Sequence, residues 1–159
     1  MKKILLLAIG FLMTMTASAQ FEQGKYYCNG SLTGINLSYS GAEKLSLGVE
    51  AKGGYLVADN WMALVMAGYS HDEDVDDKFA VGEGGRYYII QNGLYMGLNA
   101  RLVHGGSGYN DIMPGLELGY AFFLGKSVTI EPSVYYDQSI KNHSDYSKVG
   151  LRIGVGVYL

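Results

Sequence analysis

The feature that most constrains this chain is a two-residue alternation of apolar with small or polar side chains, repeated over stretches of about ten residues. It is cleanest in Lys148–Leu159. Val149, Leu151, Ile153, Val155, Val157 and Leu159 take one parity there, and Lys148, Gly150, Arg152, Gly154, Gly156 and Tyr158 take the other. Successive strand side chains point to opposite faces, so such a segment predicts a strand with one wholly aliphatic face. The same pattern recurs in Leu45–Val57, Leu94–His104, Pro114–Phe122 and Val128–Asp137. Three further segments are less regular. Gly30–Tyr39 carries Ile35, Leu37 and Tyr39 on one side, while Trp61–Ser70 is apolar on both parities and leaves its faces unassigned. Lys78–Ile90 sets Glu83 and Arg86 on opposite parities, which a bulge at Gly84-Gly85 would reconcile.

These segments predict eight strands. Asp59-Asn60, Gln91-Asn92-Gly93 and Leu124-Gly125-Lys126 are suited to tight turns. The alternate connectors, His71–Asp77, Gly105–Asp111 and Gln138–Asp145, read as longer polar loops, with Ser40–Glu43 on their side. Helical periodicity is absent, and the longest fully apolar run after the N-terminal segment, Trp61–Ala67, is far short of the ~18 residues of a membrane helix. Short turns at one end and long connectors at the other predict an all-β, eight-stranded antiparallel up-and-down transmembrane β-barrel.

Composition decides which face points outward. The polar parity holds mostly Gly, Ser and Asn with one or two charges per strand, and Gly is 23 of 159 residues. A water-facing exterior would be filled with Lys, Glu, Thr and Gln. Glycine instead suits a narrow lumen where neighbouring Arg and Glu side chains need room. A closed barrel is the one sheet that leaves no backbone group unpaired in lipid. Aromatic residues near the strand ends, namely Tyr39, Tyr55, Trp61, Tyr69, Tyr87, Tyr120, Phe122, Tyr136 and Tyr158, predict interfacial girdles.

One level of the polar parity is charged. Glu50, Arg86, Arg101, Glu117, Glu131 and Arg152 stand at similar distances from the short turns and can all be placed on the lumen face. Three are acids, and three are all the arginines of the chain. Lone buried charges cost several kcal/mol each, so these are expected to pair, with each planar guanidinium offering two donors to a carboxylate. Eight strands leave an interior just wide enough for side chains, so a balanced charged layer plugs it.

Other residues carry weaker signals. His71–Asp77 holds five acids in seven residues. Asp72, Asp74, Asp76 and Glu83 have calcium-loop spacing, but Asp77 stands where the sharp turn needs Gly, so a solvated acidic loop is expected. His143-Ser144-Asp145 is consecutive and cannot assemble a proton relay by itself. Gly105-Gly106-Ser107-Gly108 has no following helix or Lys and is no phosphate cradle. No enzyme activity, cofactor or metal site is expected. The formal charge of −3 gives no basic face for nucleic acid, and one cysteine, Cys28, excludes an internal disulfide framework. At the N-terminus, Met1-Lys2-Lys3, the apolar Ile4–Met13 and the small residues Ala17-Ser18-Ala19 predict an export signal over 1–19. The barrel domain is then 20–159.

The segments Tyr55-Leu56-Val57-Ala58-Asp59-Asn60-Trp61, Gly85-Arg86-Tyr87-Tyr88, Pro114-Gly115-Leu116-Glu117-Leu118-Gly119-Tyr120 and Val149–Leu159 together resemble a known group. It is the small outer-membrane β-barrel proteins of Gram-negative bacteria, the OmpX/OmpW-like or porin-family barrel domain of Bacteroidetes type. The resemblance implies an integral outer-membrane protein with variable surface loops. Its expected partners are outer-membrane lipids, lipopolysaccharide and, during insertion, the barrel-assembly machinery. The family often ends in an aromatic residue, whereas this chain ends in Tyr158-Leu159. A structural or surface-interaction role is expected first. A passive channel for ions or small solutes and a lipid-modifying outer-membrane enzyme are the alternatives, and a soluble exported barrel is a fourth.

Overall fold

The structure is a computed structural model that describes residues 21–35, 47–71, 77–89, 93–106, 108–141 and 147–159. The export signal at 1–19, Tyr39, the connector at 40–43, the acidic run at 72–76, Gln91-Asn92, Ser107 and His143-Ser144-Asp145 lie outside the described residues.

All elements among the described residues are strands: β1 (Tyr26–Ile35), β2 (Leu47–Ala58), β3 (Trp61–His71), β4 (Lys78–Tyr88), β5 (Leu94–Gly105), β6 (Tyr109–Tyr120), β7 (Phe122–Phe123), β8 (Val128–Asp137) and β9 (Lys148–Tyr158). β1 to β5 each pair antiparallel with the next strand in the chain, β7 and β9 pair with β8, β1 pairs with β9, and β6 pairs with β8 to close the sheet on itself. The result is an eight-stranded antiparallel barrel, as predicted, because β6 and β7 are one stave. Gly119 stands opposite Ser133 and Phe122 opposite Ile130, so one register runs through both. In that register Tyr120 faces Pro132, which has no N–H to donate, and the ladder lapses there. On the other edge of the strand the Ala121 N–H donates to the Gly93 carbonyl at 2.9 Å, one step beyond the Leu94–Tyr120 pair of the β5–β6 register.

Asp59-Asn60 joins β2 to β3 with Asn60 in the left-handed region at φ 66°, which asparagine tolerates better than most residues. The connector expected at Gly105–Asp111 is shorter than the sequence suggests. The β5–β6 ladder continues to Gly105 opposite Tyr109, with Gly108 at φ 77° and its N–H on the Gly105 carbonyl. Polar side chains there read as a loop. They line a hairpin whose backbone pairing does not depend on them, and His104 Nδ1 meets Asn110 Oδ1 at 2.7 Å on its exposed face.

The faces sort as the aliphatic parity predicts. Leu32 is 70% exposed and Leu98 66%, while Glu131 is 2% and Arg152 3%. In β3, whose faces the sequence leaves open, Trp61, Ala63, Val65, Ala67 and Tyr69 point outward and Met62, Leu64 and Met66 inward. An outward aromatic band rings the short-turn end, with Tyr26 on Tyr55, Trp61 on Tyr87 and Tyr120 on Phe122. Tyr158, expected in that girdle, points into the lumen because it shares parity with Arg152 and Gly156. There it packs with Phe21, Tyr27, Leu56, Met62, Tyr88 and Tyr95 in an apolar cluster. Phe21 stacks on Tyr88 with centroids 3.7 Å apart, and its carbonyl accepts the Asn60 N–H, so the segment before β1 closes the short-turn end.

Candidate functional site

Above the aromatic cluster the lumen is filled by charge. All six residues singled out in the sequence face inward, and they lie in one connected network with two more, Lys52 and Asp137. Arg86 reaches Glu131 at 2.9 Å and Glu117 at 3.6 Å. Lys52 reaches Glu117 at 2.8 Å and Glu50 at 3.4 Å. Arg152 lies 3.3 Å from both Glu50 and Glu117, and Arg101 lies 3.2 Å from both Glu50 and Asp137. Four cations therefore meet four carboxylates in a space sealed from solvent. Uncompensated, each would cost several kcal/mol; mutual pairing offsets this. Each arginine bridges two carboxylates, which links opposite walls of the barrel. Arg152 alone also meets a single partner, Glu50, through two nitrogens.

Tyrosines and Thr129 add hydrogen bonds to two of the carboxylates. Glu131 accepts from Tyr27 at 2.5 Å, Thr129 at 2.8 Å and Tyr158 at 3.2 Å, and Glu117 accepts from Tyr95 at 3.1 Å. The guanidinium of Arg86 lies 3.8 Å from the Tyr95 ring centroid, and that of Arg152 lies 4.3 Å from the Tyr135 centroid. These are cation–π distances.

Glycine makes the room. A Cβ on Gly150 would lie 2.5 Å from Tyr135 Oη, and one on Gly156 would lie 2.6 Å from both Glu131 Oε1 and Thr129 Oγ1. The glycines on the polar parity are thus the spaces that the large lumen side chains occupy.

The bulge at Gly84-Gly85 does not form. The β3–β4 register runs unshifted from Trp61–Tyr87 to Ser70–Lys78, so Arg86 points in and Glu83 points out. Glu83 therefore stands mid-strand, opposite Val65 and Ala100, and not at the end of a cation-binding loop. Among the described residues no group of three or more His, Cys, Asp or Glu is placed to hold a metal ion. Lys52 and Asp137 could have been found from the sequence, since they share parity with Glu50 and Glu131. Phe21 could not, because it precedes the first strand and carries no periodic signal.

No family model matches the sequence, and no curated protein matches it. Solved structures do match. The N-terminal β-barrel domain of Pseudomonas aeruginosa OprF is similar at TM-score 0.63 and 14% identity, over 86% of this chain and 98% of that one. The outer membrane protein OprG of the same organism is similar at TM-score 0.59 and 13% identity, over 87% of this chain and 97% of that one. Ail of Yersinia pestis, in a phospholipid bilayer nanodisc, is similar at TM-score 0.58 and 13% identity, over 86% of this chain and 100% of that one. The fold is that of a small outer-membrane barrel. At these identities the likeness is one of architecture, so what this chain does must be argued from its own lumen and surface.

Proposed function

We propose that this chain is an exported, integral outer-membrane protein whose barrel is a stiff, ion-paired plug and not a conduit. Its role is structural or surface-interactive, carried by the connectors at the long-connector end, with outer-membrane lipids and lipopolysaccharide around its wall. Both termini and the short turns face the periplasm in this reading. The observation that carries it is the eight-charge network that bridges opposite walls above an aromatic cluster closed by Phe21. A solute would have to break several buried ion pairs to pass. The carboxylates are engaged by cations and tyrosines, so none is left as a free general base beside an acid. The aliphatic exterior and its aromatic band support placement in a bilayer.

In a planar bilayer the purified protein is expected to give no stable unitary current. A robust, reproducible conductance would defeat the plug and favour the passive channel. A second expectation concerns Cys28, which is exposed on the outward face of β1 one row above Tyr26. In vesicles a charged, membrane-impermeant maleimide should modify it about tenfold more slowly than in urea, because hydrocarbon excludes the charged reagent. Equal rates would place that face in water.

A further inference from the structure

Glu83 is out of place on the wall. It is the one Asp, Glu, Lys or Arg that the described strands point outward, and it is the central residue of the 11-residue strand β4. Its register partners, Val65 and Ala100, are also near the middle of their strands, so Glu83 sits at mid-height. No hydrogen bond or ion pair engages its carboxyl among the described residues. In hydrocarbon a carboxyl without a partner costs several kcal/mol, and an ionisable residue at that depth is a functional site by default.

The surface around it is also distinctive. Gly53, Ala63, Ala67, Gly85 and Ala100 surround Glu83 on the outward face of β2 to β5. Gly53, Ala63 and Ala100, with Val65, line a depression of about 760 Å³ beside Glu83, rimmed by Tyr26, Tyr55 and Leu98. On the opposite wall β9 presents Val149, Leu151, Ile153 and Val155, with no comparable run of small residues. Small side chains let backbones approach closely in a membrane.

We infer that this wall is a contact surface for a second copy of the chain, with the two Glu83 carboxyls facing each other across a two-fold axis. The occupant follows from chemistry. Lipid tails offer a carboxyl nothing, and the described outward strand positions carry no Lys or Arg to pair with it. A carboxyl bearing its proton both donates and accepts, so two of them satisfy one another through paired O–H···O bonds. An isologous contact brings the same residue from each copy to the axis. Each carboxyl arm then enters the hollow that the partner's small residues leave. This inference rests on the bilayer reading above.

The test uses the full-length mature chain in phosphatidylcholine vesicles, with insertion checked by flotation and by resistance to urea extraction. In a Cys28→Ser background that keeps Glu83, Ala100→Cys, its register neighbour on β5, should give a covalent dimer with a short flexible bis-maleimide, whereas Val155→Cys on the far wall should not. Dimer dissociation followed by resonance energy transfer should rise about tenfold in Glu83→Leu, the scale of an intramembrane hydrogen bond. Glu83→Gln, whose amide can also pair with itself, should retain most of the affinity. Inserted protein that stays monomeric, that cross-links equally at both positions, or whose Glu83→Leu variant dimerises undiminished overturns the dimer and leaves the bilayer reading standing. Protein that fails to insert overturns the bilayer reading, and the dimer with it.

Discussion

Arg86→Met should cost about 3–5 kcal/mol of folding free energy, the penalty for stranding a buried charge. Arg86 is 1% exposed and is the only cation within ion-pair reach of Glu131 among the described residues. Removing it leaves the Glu131 carboxylate with hydrogen bonds from Tyr27, Thr129 and Tyr158 but with no counter-charge. Urea unfolding in vesicles, followed by the single tryptophan Trp61 on the outer wall, reads the loss directly. Arg86→Met combined with Glu131→Gln should recover most of it, because both charges are then gone and the tyrosine hydroxyls still have an acceptor. A loss below about 1 kcal/mol in the single variant would show that water, and not the network, solvates Glu131.

The second large effect comes from a glycine. A Cβ on Gly84 would lie 2.5 Å from the Leu98 carbonyl oxygen and 3.1 Å from Asn99 Cα. These are backbone atoms of β5, so relief requires the β4–β5 ladder to part. Gly84→Ala should therefore cost about 1–3 kcal/mol despite the small size of the change. Gly30 is the control. It sits on the outward face of β1 with nothing within 4 Å of an added Cβ. Gly30→Ala should be neutral or stabilise by a few tenths of a kcal/mol, since it removes freedom from the unfolded chain without a clash. Equal behaviour of the two variants in the same urea titration would contradict the tight β4–β5 approach.

Much of this architecture is legible in one dimension. Val149 to Leu159 announces its faces residue by residue, because side-chain direction in a strand depends only on parity. The same rule places Lys52 on the face of Glu50 and Asp137 on the face of Glu131, at levels of the lumen other than the one the six charges share. The rule fails where parity says nothing. In β3 both faces are apolar, because Met62, Leu64 and Met66 line the lumen with methionine and leucine. In β4 the conflict between Glu83 and Arg86 has two solutions, a bulge or an outward carboxyl, and local pattern favours neither. The Gly105–Asp111 segment misleads because polar residues suit a loop and a strand end alike, whereas the ladder needs only backbone groups.

What the sequence alone determined is the alternation, the turns and hence a closed barrel with an aliphatic exterior, since these follow from a repeat of two residues. Only the tertiary structure decided who meets whom across the lumen. Arg86 and Glu131 are 45 positions apart and Arg152 and Glu50 are 102 apart. Their meeting depends on the stagger between strands and on closure of β6 against β8. Stagger is a property of the whole ring, set jointly by every ladder, and no short stretch of chain carries it.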